Sequence, residues 1–150
     1  MKGARSGPTA TLAFVGRLAA GWVFVVFGAG KFTSHASEVS SFGTYGLPSP
    51  DAFVYMIGAI ELVGGVLLIV GLATRVAALV LAGDMVGAIV LDGIIQGGAI
   101  SLTLAPALLA VMLFLLWVGP GVHTLDRRLF ERPSARDLVS YAPDSLSRRA

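Results

Sequence analysis

Apolar residues fall along this chain in four long runs, at about residues 9–32, 52–73, 76–95 and 98–118. Each run is close to the ~20 residues a helix needs to cross about 30 Å of hydrocarbon. An open segment crosses lipid only as a helix, because nothing there satisfies free backbone amides and carbonyls. The pattern therefore predicts an all-α fold, a bundle of four transmembrane helices. Helices buried in a soluble domain are a poor alternative, since four such runs leave too few residues for a hydrated shell. A cleaved signal peptide is the stronger rival for the first run, because Gly28-Ala29-Gly30 follows a basic start. Against it, Arg17 interrupts the apolar stretch, which is also long for a signal.

The joints agree with four crossings. Leu47-Pro48-Ser49-Pro50 reads as a rigid extended segment, with Ser49 or Asp51 available to cap the second helix. The stretch at residues 33–51 is the one sizeable loop on its side of the membrane. The turn from Gly71 to Arg75 is so short that the second and third helices must be antiparallel neighbours. Pro106 is expected to kink the fourth helix, and Gly119-Pro120-Gly121 to end it. Beyond that, Thr124 can cap a short interfacial helix with Leu125, Leu129 and Phe130 toward lipid. On this reading residues 1–132 form the membrane domain and residues 133–150 a polar cytoplasmic tail.

Composition sharpens the picture. Apolar residues make up 55% of the chain and charged residues 13%, about half the usual charged share of a soluble domain. A chain of 150 residues suits a single domain. There is no cysteine, which excludes a disulfide, a thiol relay and an attached c-type haem. The net charge of +2 matters less than its placement. Lys2, Arg5, Arg75, Arg127, Arg128, Arg132, Arg136, Arg148 and Arg149 all fall on one side of a four-crossing chain, and Lys31 alone on the other. The positive-inside rule then puts both termini in the cytoplasm. No nucleic-acid partner is expected. A homo-oligomer stays open.

Charges within the runs are the candidates for chemistry, because each costs free energy that something must offset. The third run holds ten Leu, Ile and Val residues, contributing roughly −3 to −6 kcal/mol to insertion, against about +5 to +7 for Asp84 and Asp92. That helix must depend on its neighbours. A rise of ~1.5 Å per residue puts Arg17, Asp84 and Glu61 roughly 10, 12 and 18 Å from the cytoplasmic ends, with Asp92 and Lys31 in the outer half. Arg17, Gly21, Phe24, Gly28 and Lys31 share one helical stripe, and Gly58, Glu61 and Gly65 another. Together with Gly64, these glycines (Gly21, Gly28, Gly58, Gly64 and Gly65) are small-residue packing positions. The expected seam pairs Arg17 with Glu61, which fixes helix register if it does nothing else. Asp84 is then an acid without a countercharge, a candidate proton or ligand site, and Asp92 and Lys31 form an outer tier. His35 and His123 lie on opposite sides of the membrane and cannot share a haem iron. No nucleophile–base pair, zinc spacing, other metal site or nucleotide fingerprint is present, and no catalytic residue is assigned.

These residues carry a family resemblance. Arg17-x3-Gly21-x6-Gly28-x2-Lys31-Phe32, then Gly46-Leu47-Pro48, then the segment from Glu61-Leu62-Val63-Gly64-Gly65 through Thr74-Arg75, resembles the DoxX family of small bacterial membrane proteins. The exit Gly119-x-Gly121-x-His123-Thr124-Leu125-Asp126 is similar to that family's glycine-rich ending. The resemblance covers about residues 12–130 and implies four transmembrane helices. It also implies a link to membrane redox assemblies, since the family name comes from a subunit associated with a membrane thiosulfate:quinone oxidoreductase. In the family pattern Arg17, Lys31 and Glu61 match recurring polar positions. The Asp92 position often holds histidine there, and the Asp84 position is usually less polar.

Two functional expectations follow. The first is a non-catalytic accessory subunit of a quinone-linked or oxidative-stress redox assembly, with a membrane oxidoreductase as partner and quinone as the expected cofactor. The alternative is a small-solute or lipid binding or transport protein built on an Arg17–Glu61–Asp84 cluster. A purely structural role for the seam is the plain reading beside both.

Overall fold

The computed structural model describes residues 7–119 of the chain. Five α-helices run in the order α1 (Pro8–Thr33), α2 (His35–Thr44), α3 (Pro50–Val70), α4 (Thr74–Ala88) and α5 (Ala99–Val118). A π-helical stretch, Ile89–Ile95, continues α4 without a break. Four segments are long and apolar enough to cross a bilayer: Pro8–Thr33, Pro50–Val70, Thr74–Ile95 and Ala99–Val118. The protein is an all-helical, multi-pass membrane protein. The interfacial helix expected after Thr124 and the tail at residues 133–150 lie outside the described residues.

Local chemistry explains where the spans begin and end. Proline occupies the first turn of both α1 and α3, where its missing N–H costs nothing. Ser49 precedes α3, but its side chain accepts no capping hydrogen bond, and its backbone is left-handed. Gly71 ends α3 in a left-handed conformation, and the amides of Gly71 and Leu72 both return to the Leu67 carbonyl. This closure leaves only Gly71, Leu72 and Ala73 between α3 and α4, so the two helices are antiparallel neighbours. Pro106 sits inside α5, and that helix continues to Val118 before Gly119 closes it with φ +92°.

The spans close into a ring in which α1 packs on α3, α3 on α4, α4 on α5, and α5 more lightly on α1. Small and apolar side chains fill the centre, among them Ala13, Ala20, Phe24, Leu68, Ala78, Leu81, Met112 and Leu115. Large apolar residues also cover the outside, with Trp22, Leu79, Ile94 and Trp117 well exposed. A soluble protein would not tolerate such a surface, but hydrocarbon does.

The tightest joint is α1 against α3. A Cβ added to Gly28 would lie 2.6 Å from the Leu62 amide nitrogen and 2.9 Å from the Gly58 carbonyl oxygen. One added to Gly65 would lie 2.7 Å from the Gly21 carbonyl oxygen. Two turns apart, the backbones touch directly, and no side chain fits between them. The first span is thus an integral wall of the bundle.

The outer connection departs from expectation. Residues 33–51 read as a loop, yet ten of them form α2. No residue of α2 is buried, and its ten residues are mostly small or polar, so it does not read as a membrane span. Two substitutions separate backbone contact from ordinary helix propensity. Gly28→Val should lower thermal stability in detergent by about 1–3 kcal/mol through overpacking. Gly30→Ala, where an added Cβ meets nothing within 4 Å, should instead stabilise by roughly 0.5–1 kcal/mol.

Candidate functional site

The register of the α1–α3 joint decides which charges meet. Gly21 lies against Gly65 and Ile69, and Gly28 against Gly58 and Leu62. Continuing that antiparallel register brings Lys31 level with Gly58, one turn from Glu61. Lys31 Nζ and Glu61 Oε2 are 2.8 Å apart, with side chains 12% and 5% exposed. In hydrocarbon such a pair is close to obligatory, since either charge alone would be left without a countercharge.

The expected Arg17–Glu61 pair is therefore corrected. Arg17 and Lys31 are fourteen residues apart on one helix, about 21 Å along its axis. The same register places Arg17 level with the Gly71–Ala73 turn. Equal depth had been assumed for equal distance from each helix end, but the start of α1 overhangs the end of α3 by more than two turns. Arg17 is 1% exposed, and its guanidinium carbon lies 5.3 Å from the centroid of the Phe14 ring one turn earlier, a cation–π geometry.

Asp84 joins the Lys31–Glu61 pair through α4. Gly64 packs against the Leu81 side chain, and one turn outward Asp84 comes within hydrogen-bonding reach of Glu61. Its Oδ2 is buried without a hydrogen-bond partner. The result is one cluster of two carboxyls and one ammonium from three helices, in place of the expected two tiers.

Beside the cluster lies a cavity of about 100 Å³. Lys31 and Glu61 form its polar end, Phe24 and Phe27 one wall, and Met85, Ser101, Leu104 and Leu108 much of the rest. Phe27 and Ile100, which also line it, are exposed on the outside of the bundle, so the cavity reaches the surface beside α1 and α5. Asp84 does not line it and sits behind Glu61.

Asp92 belongs to a separate polar centre at the outer end. The Tyr45 hydroxyl donates to its Oδ1 at 2.9 Å, and the Ser101 hydroxyl donates to its Oδ2. A side chain on Gly98, which precedes α5, would collide with the same carboxylate. Asp92 thus fills the space over the start of α5, where a negative charge is favoured. The π-helical backbone turns Asp92 toward this position, and the Gly98 amide donates to the Asp92 carbonyl at 2.9 Å. Gln96 Nε2 donates to the Thr44 carbonyl. At the other end of α2, His35 Nε2 lies 2.7 Å from Asp51 Oδ1 and its ring stacks on Tyr55 at 4.0 Å. Burial, and then the hydrogen bond and negative charge of Asp92, push the Tyr45 hydroxyl up to about 12. The part played by Tyr45 is invisible in the sequence, because 47 residues separate it from Asp92.

A four-helix membrane protein with a buried ion pair and a cavity beside it is the class these features define. The DoxX family model matches residues 12–93, and the chain belongs to that family. It is 39% identical over 134 residues to the uncharacterised membrane protein Rv3486 of Mycobacterium tuberculosis, covering 79% of this chain and 82% of that one. A Bacillus subtilis protein named "Putative oxidoreductase CatD" is 45% identical over 74 residues, 49% of this chain and 54% of its own. An uncharacterised Haemophilus influenzae protein is 34% identical over 127 residues, 81% of this chain and 92% of its own. No solved structure matches the chain.

Two measurements test these contacts. Lys31→Met should cost about 3–5 kcal/mol of stability in detergent, as breaking a buried pair does, and adding Glu61→Gln should restore most of it. The raised Tyr45 pKa favours the neutral hydroxyl in the fold, so its stabilisation is complete below pH 10 and fades as pH rises toward about 12. Ultraviolet titration should accordingly show one tyrosine ionising near pH 12, a component that disappears in Tyr45→Phe.

Proposed function

We propose that this protein is an accessory subunit of a membrane redox assembly, and that its cavity receives the head group of a quinone. The observation that carries the reading is the cavity: aromatic and aliphatic walls, one ammonium–carboxyl end, and a mouth at the surface beside α1 and α5. A quinone is a flat ring with carbonyl acceptors on a long apolar tail. Phe24 and Phe27 suit the ring, Lys31 Nζ can donate to a carbonyl, and the mouth beside α1 and α5 offers the tail a lipid path. When bound, the quinone would supply the redox chemistry of the assembly; the chain's own residues bind and orient the ring and keep bulk water from it. The oxidoreductase name of the Bacillus subtilis relative supports a redox setting. That name belongs to a protein matched over about half the chain.

The placement of lysines and arginines supports insertion in a bacterial cytoplasmic membrane with both ends of the chain inside. A transport role resting on Arg17, Glu61 and Asp84 acting together draws less support, because Arg17 stands far from the two acids. A partner oxidoreductase is part of the proposal.

Gentle detergent purification followed by mass spectrometry should recover quinone and an oxidoreductase with the protein. A photoreactive azidoquinone should label peptides containing Phe24–Phe27 or Leu104–Leu108, and Lys31→Met should reduce the label about tenfold, the equivalent of one hydrogen bond to a charged donor. Quinone no richer than in the surrounding lipid, no site-specific label and no oxidoreductase partner would together overturn the reading.

A further inference from the structure

We propose that Glu61 and Asp84 share one exchangeable proton, and that this carboxyl pair is the site from which the ligand cavity gains or loses a proton. The inference deepens the reading of the cavity above, but it stands on an independent count of charge. Two carboxyls from adjacent helices lie within hydrogen-bonding reach of one another, and one ammonium, Lys31, pairs with Glu61 and acts on Asp84 only at longer range. Among the described residues, no further positive charge offsets the imbalance at this site. On α2, Glu38 contributes a further negative charge at longer distance. Arg17, also on α1, is about 21 Å along the axis from Lys31. The α5 segment that faces the cavity has no charged residue.

Two ionised carboxylates beside one ammonium would leave a net negative charge buried in hydrocarbon, which the surroundings do not offset. Like charges in contact do not both ionise when a proton held between them removes the repulsion. One proton therefore makes the three-residue cluster neutral: one carboxylate, one carboxylic acid and one ammonium. The acid hydrogen also answers the geometry, since two carboxylates in contact have only acceptors to offer each other.

The arrangement is directional. Glu61 lines the cavity and Asp84 stands behind it, with Asp84 Oδ2 sealed off and without a partner. Asp84 acts as a positioning residue: without its charge, Lys31 alone would hold Glu61 as a carboxylate. With it, Glu61 carries an O–H at the cavity wall. When a ligand oxygen gains negative charge, the Glu61 O–H bond breaks and an O–H bond forms on the ligand, and Glu61 keeps the electron pair. The reverse transfer returns the proton when the ligand loses that charge. No oxidant or reductant enters the step itself.

The test uses the full chain in lipid nanodiscs without added quinone. Infrared difference spectra between H₂O and D₂O should show the carbonyl stretch of a buried carboxylic acid at neutral pH, absent in Asp84→Asn and in Glu61→Gln. Dicyclohexylcarbodiimide, an apolar reagent that adds to protonated carboxyls, should label Glu61. Asp84→Asn should reduce that label about tenfold, the effect of one pH unit on the protonated fraction of an ionised acid, while Lys31→Met should increase it. A structural ion pair with both acids ionised predicts no band and no label, and that result overturns the proposal. So does a Glu61 label unchanged in Asp84→Asn, or a label confined to Asp84. If a variant fails to fold, the wild-type band and the site of the wild-type label decide alone. A protonated pair in a protein that binds no quinone leaves this inference standing and removes the quinone reading; quinone bound beside two ionised carboxylates does the opposite.

Discussion

An ion pair held in hydrocarbon organises this molecule. Lys31 and Glu61 lie on different helices, and their contact requires the α1 and α3 backbones to approach until nothing larger than hydrogen fits at Gly21, Gly28, Gly58 and Gly65. The glycines and the charges thus work as one device. The small residues permit the approach, and the charge pair makes one register far better than its neighbours, because sliding either helix by a turn would strand both charges in lipid. The three-residue turn after α3 extends the device to α4. Gly64 admits the Leu81 side chain, and Asp84 is carried to Glu61 as a consequence.

The outer end of the bundle is organised differently. There the regular helix gives way to π-helical turns at Ile89–Ile95, a local change often found where a side chain must be re-aimed. Asp92 is the side chain so placed. It collects the Tyr45 and Ser101 hydroxyls over the start of α5 and so fastens α2 to the bundle at one end, while His35, Asp51 and Tyr55 fasten it at the other. The two polar centres have distinct tasks. One ties α2 down over the bundle, and the other lines a cavity that reaches the bundle surface. Membership of the DoxX family agrees with the four-helix frame.

Much of the architecture was legible in the sequence because hydrocarbon imposes length and helicity on anything that crosses it. Four apolar runs of about the right length could only become four spans, and the glycines spaced along one face of the first and second spans marked where backbones would touch. The antiparallel pairing of α3 and α4 followed from the shortness of the Gly71–Ala73 turn. Glu61 and Asp84 stood out because an acid inside an apolar run needs an explanation. These readings rest on composition and periodicity along the chain, which is the information a single sequence carries well.

Vertical register was not legible. Depth counted from each helix end put Arg17 beside Glu61, but helix ends need not be level, and an offset of a few turns exchanged Arg17 for Lys31. That offset is set by which glycines interlock across α1 and α3, a property of two surfaces together. The helix at His35–Thr44, the π-helical turns that aim Asp92, and the cavity between four spans arise in the same way, from contacts between residues distant in sequence. By itself the sequence determined the number, length and chemistry of the spans, since each crossing helix must satisfy its own backbone. The tertiary structure alone decided which charges meet, because a partner in hydrocarbon is chosen by where two helices fit closest.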